Sequence, residues 1–281
     1  MEIYKNILVA FDGSDSSKNA LMQAVKLVDG DTTRITVVSI MLPYDGDIDL
    51  VWVKDIREAM RTSCESILSE AKRLVGDSIK AICEEGGVHE RIIELANTET
   101  CDLIVMGRRG LRKIESVLIG SVTARVIGHS NKDVLVIPQG VTIGWKNILL
   151  ATDGSRYSDA AANKAISLAK SYNGELKILS VVDMPPEFYA DSLKTAEELV
   201  NKAKGIVEDV SRQAEISKVK PSIYVREGDA SEAITEFALK EKVDIIIMGS
   251  HGRTGLIRLL MGSVTERVIG HAQCPVLVVK A

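Results

Sequence analysis

Near its C-terminal end the chain reads MGSHGRTGLIRLLMGSVT, Met248–Thr265, with Gly249, Gly252 and Gly262 separated by two and then nine residues and Ser263 after the last. The same spacing occurs earlier in MGRRGLRKIESVLIGSVT, at Gly107, Gly110, Gly120 and Ser121. Glycine permits close backbone approach. A helix opening at Gly-Ser would also present unpaired N–H groups and the positive end of its dipole, which suits a phosphate. Ser121, Thr123, Ser263 and Thr265 would add hydroxyl donors. A single copy reads equally well as a glycine-rich turn with a serine cap. Each half adds an aspartate before Gly-Ser, Asp12 and Asp153. Such a carboxylate can accept from ribose hydroxyls or a base amino group, or it can simply cap the turn that follows. Both features occurring twice tip the reading toward nucleotide binding.

Other phosphate chemistries do not match. The chain has no GxxxxGK[ST] and no GxGxxG after its first apolar run, which excludes Walker-type and dinucleotide fingerprints. His251, inside the second glycine loop, is placed to meet a phosphate or base, and Arg109 occupies the matching position in the first. Arg108, Arg109, Arg112 and Lys113 form a basic cluster that would attract phosphates or form a solvated loop, and it is too small for a nucleic-acid surface. His129 and His271 fall near helix ends and read as structural, without metal-ligand partners at suitable spacing. No Ser/His/Asp, Cys/His or paired-carboxylate set emerges, so no catalytic residue is assigned. Hydrolysis is expected to be absent or very slow.

The elements that must position these residues are written twice. KNILVAFDGSDSS from Lys5 returns as KNILLATDGSRYS from Lys146, and GSVTARVIGH from Gly120 returns as GSVTERVIGH from Gly262. Two tandem domains follow, over 1–140 and 145–281, joined near Gln139–Gly144. In each, NILVAF or NILLAT, RITVVSI or LKILSVV, SIKAIC or SIYVREG, DLIVMG or DIIIMG, and VLVIP or VLVV are short β-branched runs suited to a parallel sheet buried on both faces. Helical patterns alternate with them, including ERIIELANTE and EAITEFALKEK. This alternation predicts three-layer α/β domains with ligands beyond the carboxyl ends of the strands.

Composition bounds the partners. The chain has 281 residues, a net charge of −4 and 46% hydrophobic content, which fits a globular protein and not a basic nucleic-acid binder. No apolar run approaches the roughly 18 residues of a membrane span, and the N-terminus does not read as a signal peptide. Cys64, Cys83, Cys101 and Cys274 contain no CxxC pair, so reduced thiols in a cytoplasmic protein are expected.

Taken together, the DGS turns, the MGRRG and MGSHG segments, the Gly-x-x-Gly–nine–Gly-Ser spacing and the closing RVIGHAQCPVLVV resemble the universal stress protein family across essentially the whole chain. The resemblance implies, for each half, an adenine nucleotide alpha hydrolase-like domain with a five-stranded parallel sheet of order 3-2-1-4-5. It implies ATP or AMP at the strand ends, with Mg2+ as a companion of triphosphate. Base and ribose would lie near Ala10, Asp12 and Ile40 in the first half, and near Ala151, Asp153 and Val181 in the second. Met106, Gly107, Arg109 and Gly110 with Gly120, Ser121, Val122 and Thr123 would hold the phosphates of the first site. Met248, Gly249, His251 and Gly252 with Gly262, Ser263, Val264 and Thr265 would do so in the second. The resemblance also implies an internal pseudo-dimer through the last strands, VLVIP and VLVV, open to further homodimerisation. The first half departs from the family at MGRRG, at LRKIESVLI and at Asp133, where the second has Pro275. The function implied is a stress-response or regulatory nucleotide-binding module. The alternatives are a slow ATPase or adenylate-transferring enzyme, and an interaction protein with empty pockets.

Overall fold

The computed structural model describes residues 3–28, 32–43, 50–110, 119–183, 193–252 and 261–281, with the side chains of 50–54, 193 and 195 left aside. The chain divides into two compact units, 2–140 and 141–281. In the first, the order is β1 (Asn6–Ala10), α1 (Asp15–Val25), β2 (Arg34–Met41), α2 (Leu50–Val75), β3 (Lys80–Glu85), α3 (Val88–Thr98), β4 (Leu103–Gly107), α4 (Ser121–His129) and β5 (Asp133–Ile137). The second runs β6 (Asn147–Ala151), α5 (Arg156–Tyr172), β7 (Glu175–Val182), α6 (Leu193–Ile216), β8 (Pro221–Glu227), α7 (Ala230–Lys240), β9 (Ile245–Gly249), α8 (Ser263–His271) and β10 (Val276–Val279).

Within each unit the strands are parallel. β1 pairs with β2 and β4, β2 with β3, and β4 with β5, which is the expected order 3-2-1-4-5. The second unit repeats it as β8-β7-β6-β9-β10. Central strands are buried on both faces, as their continuous apolar runs require: Ile7, Leu8, Val9, Leu103, Ile104 and Val105 are fully buried, as are Ile148, Leu149, Leu150 and Ile245–Ile247. Strand order reverses between β1 and β4, and between β6 and β9. A crevice is therefore expected at their carboxyl ends.

The opposite ends are closed by a polar clamp that explains two repeated motifs. Asp102 accepts the Lys5 and Asn6 amides at 2.8 and 3.2 Å, and Asp244 accepts those of Lys146 and Asn147, both at 2.9 Å. Asn6 and Asn147 donate their side-chain amides back to Thr100 and Glu241 carbonyls. Asp133, the departure in the first half, is buried and accepts the Tyr4 hydroxyl at 2.8 Å. Trp145 stands where Tyr4 would fall in the second half, and it stacks on Tyr172 with centroids 4.8 Å apart.

The expectation of four reduced cysteines is corrected. Cys64 of α2 and Cys83 of β3 form a disulfide, with Cα atoms 6.2 Å apart, while Cys101 and Cys274 are free and buried. The pair is 19 residues apart and has no local signature. Only the fold of α2 back onto β3 brings the thiols together. Cysteine usage therefore gives no argument for a reducing compartment. Burial pushes the remaining thiols up, to about 11 for Cys101 and about 12 for Cys274, so both are protonated and weakly nucleophilic at neutral pH. Among the described residues no helix is long and apolar enough to cross a membrane.

Candidate functional site

Each unit opens a cleft at the carboxyl ends of its strands, about 300 Å3 in the first and about 160 Å3 in the second. The turn after the first strand supplies one wall. In Asp12-Gly13-Ser14, Asp12 Oδ1 accepts the Ser14 amide at 3.0 Å and Gly13 takes φ +80°, a left-handed conformation that favours glycine. Asp153-Gly154-Ser155 repeats this, with 3.0 Å and φ +74°. The turn-capping role of the aspartate is thus real, and the carboxylate also lines the cleft. Its Oδ2 faces Gly110, where a Cβ would lie 2.5 Å away, or Gly252, where it would lie 2.9 Å away.

The facing wall is the glycine loop and the helix that follows it. Gly107 and Gly249 do a packing job. A Cβ there would lie 2.9 Å from the Ser16 backbone carbon, or 2.7 Å from that of Tyr157, so these glycines let the helix after the first strand sit against the fourth. Gly120 and Gly262 are N-caps in extended conformation without any side-chain cap. Their own amides donate to Arg108 and Ser250 carbonyls, both at 2.9 Å. The next three amides, at 121–123 and at 263–265, have no partner among the described residues. By contrast, Ser14, Ser155 and Asp229 cap the N-termini of α1, α5 and α7 with their side chains. An uncapped, positive helix end at a cleft is an anion site by its own physics.

The hydroxyls divide differently from the expectation that all four donate to phosphate. Thr123 Oγ1 donates to the Gly107 carbonyl at 3.2 Å, and Thr265 Oγ1 to that of Gly249 at 3.0 Å. These buried protons tie helix to strand. Ser121 and Ser263 are exposed at the helix mouth and keep the donor role open.

Much of the remaining lining of each cleft is apolar. Val38, Ile40, Leu42, Val88 and Ile92 supply it in the first unit, and Leu179, Val181, Ala230 and Ile234 in the second. All the residues assigned from sequence to the base, ribose or phosphates in each half line that half's cleft, whereas Arg108 of the basic cluster does not. The structure adds Phe11 and Ser17, Thr152 and Ser158, and the apolar residues of the third helix of each unit. Helical periodicity marked Ile92 and Ile234 as buried, but it could not show that they face a ligand cleft.

Charged and aromatic side chains differ between the clefts. Arg109 is partly buried, and its Nε is shut off from solvent with no hydrogen-bond partner among the described residues. Burial and the neighbouring Arg109 lower the pKa of the Arg108 guanidinium. In the second cleft, His251 Nδ1 lies 3.1 Å from Ser250 Oγ, and its ring meets Tyr157 with centroids 5.2 Å apart. His129 and His271 donate Nδ1–H to the Arg125 and Arg267 carbonyls at 2.9 and 2.8 Å, which is the structural role expected of them. Arg112, Lys113 and the compared loop segments, apart from their last residues Ile119 and Met261, lie outside the described residues.

A cleft with an apolar lining and unpaired helix amides fits a ligand with an aromatic ring and an anionic tail. The donor set for a cation is poor. Each cleft offers one carboxylate with one oxygen engaged in its turn, and no group of three His, Cys, Asp or Glu gathers among the described residues.

The universal stress protein family model matches residues 3–138 and again 144–280. A universal stress protein of Methanocaldococcus jannaschii is 43% identical over 141 residues, covering 48% of this chain and 82% of the relative. A putative universal stress protein of Staphylococcus aureus is 32% identical over 152 residues, covering 49% of this chain and 86% of the relative. The crystal structure of a universal stress protein from Archaeoglobus fulgidus aligns over 98% of this chain and 96% of its own, with TM-score 0.73 and 24% identity. That last match is evidence of shared fold alone.

Proposed function

The chain belongs to the universal stress protein family, matched once by each half, and from that premise we propose that it is an adenine-nucleotide-binding module of the stress response. One observation carries the reading. In each unit three helix amides without a partner among the described residues belong to residues that line a cleft with an apolar lining. The apolar lining suits the base, the aspartate after the first strand suits ribose hydroxyls, and the helix N-terminus suits phosphate. ATP and AMP are the ligands proposed, with any Mg2+ held by the phosphates and not by a protein cage.

The residues bind, orient and neutralise charge. The output is a change of state or partner, set by how much more tightly one state holds the nucleotide than another does. The test is to denature the purified protein, identify released nucleotides by mass spectrometry, and titrate stripped protein with ATP and AMP. Adenine nucleotide in the extract, or saturable binding below millimolar concentration, is the expected result. An empty extract together with no binding at millimolar ATP and AMP would sink the proposal.

A further inference from the structure

The two clefts share a backbone but not the residue that stands over the anion helix. A Cβ at Gly120 would lie 3.5 Å from Arg109 Cα, and one at Gly262 would lie 3.3 Å from His251 Cα. Each side chain therefore springs from directly beside the N-cap of its helix. In the second unit that side chain is already occupied. Ser250 meets His251, Tyr157 packs on its ring, and Arg156 lies 4.7 Å over the centroid of Tyr157. In the first unit the positions matching Arg156 and Tyr157 are Asp15 and Ser16, so no aromatic ring stands there. Arg109 Nε is buried with no hydrogen-bond acceptor among the described residues, and the cleft it lines has nearly twice the volume, about 300 against about 160 Å3.

A buried guanidinium N–H without an acceptor is costly, and an anionic oxygen is its best complement. A single phosphate is served by the helix amides alone. Further phosphates add charge and oxygens that need a second donor beyond the helix mouth, and the larger cleft gives them room.

We propose that Arg109 makes the first cleft selective for nucleoside triphosphate over monophosphate, while the second cleft, with His251 in its place, discriminates little between them. This rests on the nucleotide reading above. The two clefts then report different quantities: the first follows the triphosphate, and the second follows the total adenine nucleotide.

The test is titration calorimetry with ATP and with AMP on the full chain carrying Gly262→Val, which leaves the first cleft, and on the same chain with Arg109→His added. Arg109→His is expected to lower the ATP-to-AMP affinity ratio by about tenfold, the worth of one charge-assisted hydrogen bond, with AMP affinity changed less than about threefold. Arg109→Lys should keep most of the ratio. The reciprocal chain, Gly120→Val with His251→Arg, should gain ATP preference in the second cleft, and it stands independently if the first pair folds poorly. An unchanged ratio in both series overturns the role of Arg109 while leaving nucleotide binding intact. No binding of either nucleotide to the unmodified chain overturns both proposals.

Discussion

Gly107 and Gly249 on one side, and Gly120 and Gly262 on the other, show how one sequence motif divides into two jobs. A Cβ at Gly249 would press on the Tyr157 backbone at 2.7 Å, where nothing flexible can give way. Gly249→Ala is therefore expected to cost about 1–3 kcal/mol of stability as an overpacked contact, read as a lower denaturation midpoint. Gly120 is different. Its nearest neighbour to a Cβ is the Arg108 carbonyl at 3.4 Å, an ordinary contact, while the bulk of a valine would project at the helix mouth. Gly120→Val should melt within a few degrees of the parent chain and lose nucleotide affinity in its cleft by about tenfold or more. Full affinity in a folded Gly120→Val chain would show that the helix amides do not hold the ligand. Asp229 illustrates a third kind of residue. It accepts the Ser231 and Glu232 amides and the Ser231 hydroxyl, and these bonds, the Ser231 hydroxyl foremost, hold its carboxyl below the usual range. It contributes to folding above the ordinary carboxylate pKa and ceases to do so as pH falls through its lowered value.

At the scale of elements, the same structural slot is filled in two ways. Cys83 pairs in register with Ser39, and Val225 pairs with Ser180 at the equivalent place in the second sheet. Cys64 lies one helical turn before Ile67, which faces Gly13, and Ala203 lies one turn before Ile206, which faces Gly154. The disulfide of the first unit therefore corresponds to the pair Ala203 and Val225, which share one apolar cluster in the second. The double substitution Cys64→Ala, Cys83→Val should fold, because the second unit already uses that pair. Its melting should be indifferent to reductant. The parent chain should lose up to about 3 kcal/mol on reduction, the loop-entropy value for a crosslink of this span. Identical melting of the parent with and without dithiothreitol would show that the crosslink adds nothing to the fold.

At the scale of the whole molecule, each unit carries a cleft whose described lining residues are all its own. Two nucleotides per chain are expected at saturation. Gly120→Val or Gly262→Val alone should leave one, and both together none, as read by native mass spectrometry or calorimetric stoichiometry. A single substitution that empties both clefts would mean that neither is self-sufficient. Duplication also frees one copy to change: Arg109 and Asp15 in the first unit stand where His251 and Arg156 stand in the second. Charge near the ligand can thus differ while the backbone that holds the phosphate stays the same.

The repeat, the short β-branched runs and the glycine spacing by themselves determined two parallel α/β units and named residues that line both clefts, because buried parallel strands and helix openings leave local, periodic signatures. Tertiary structure alone decided the rest. It set Gly107 and Gly249 to packing, turned the Thr123 and Thr265 hydroxyls onto strand carbonyls, joined Cys64 to Cys83, and brought Ile92 and Ile234 to the cleft. Each of these depends on which helix lies over which strand. That is fixed by crossovers between residues far apart in the chain, and spacing along the sequence carries no record of it.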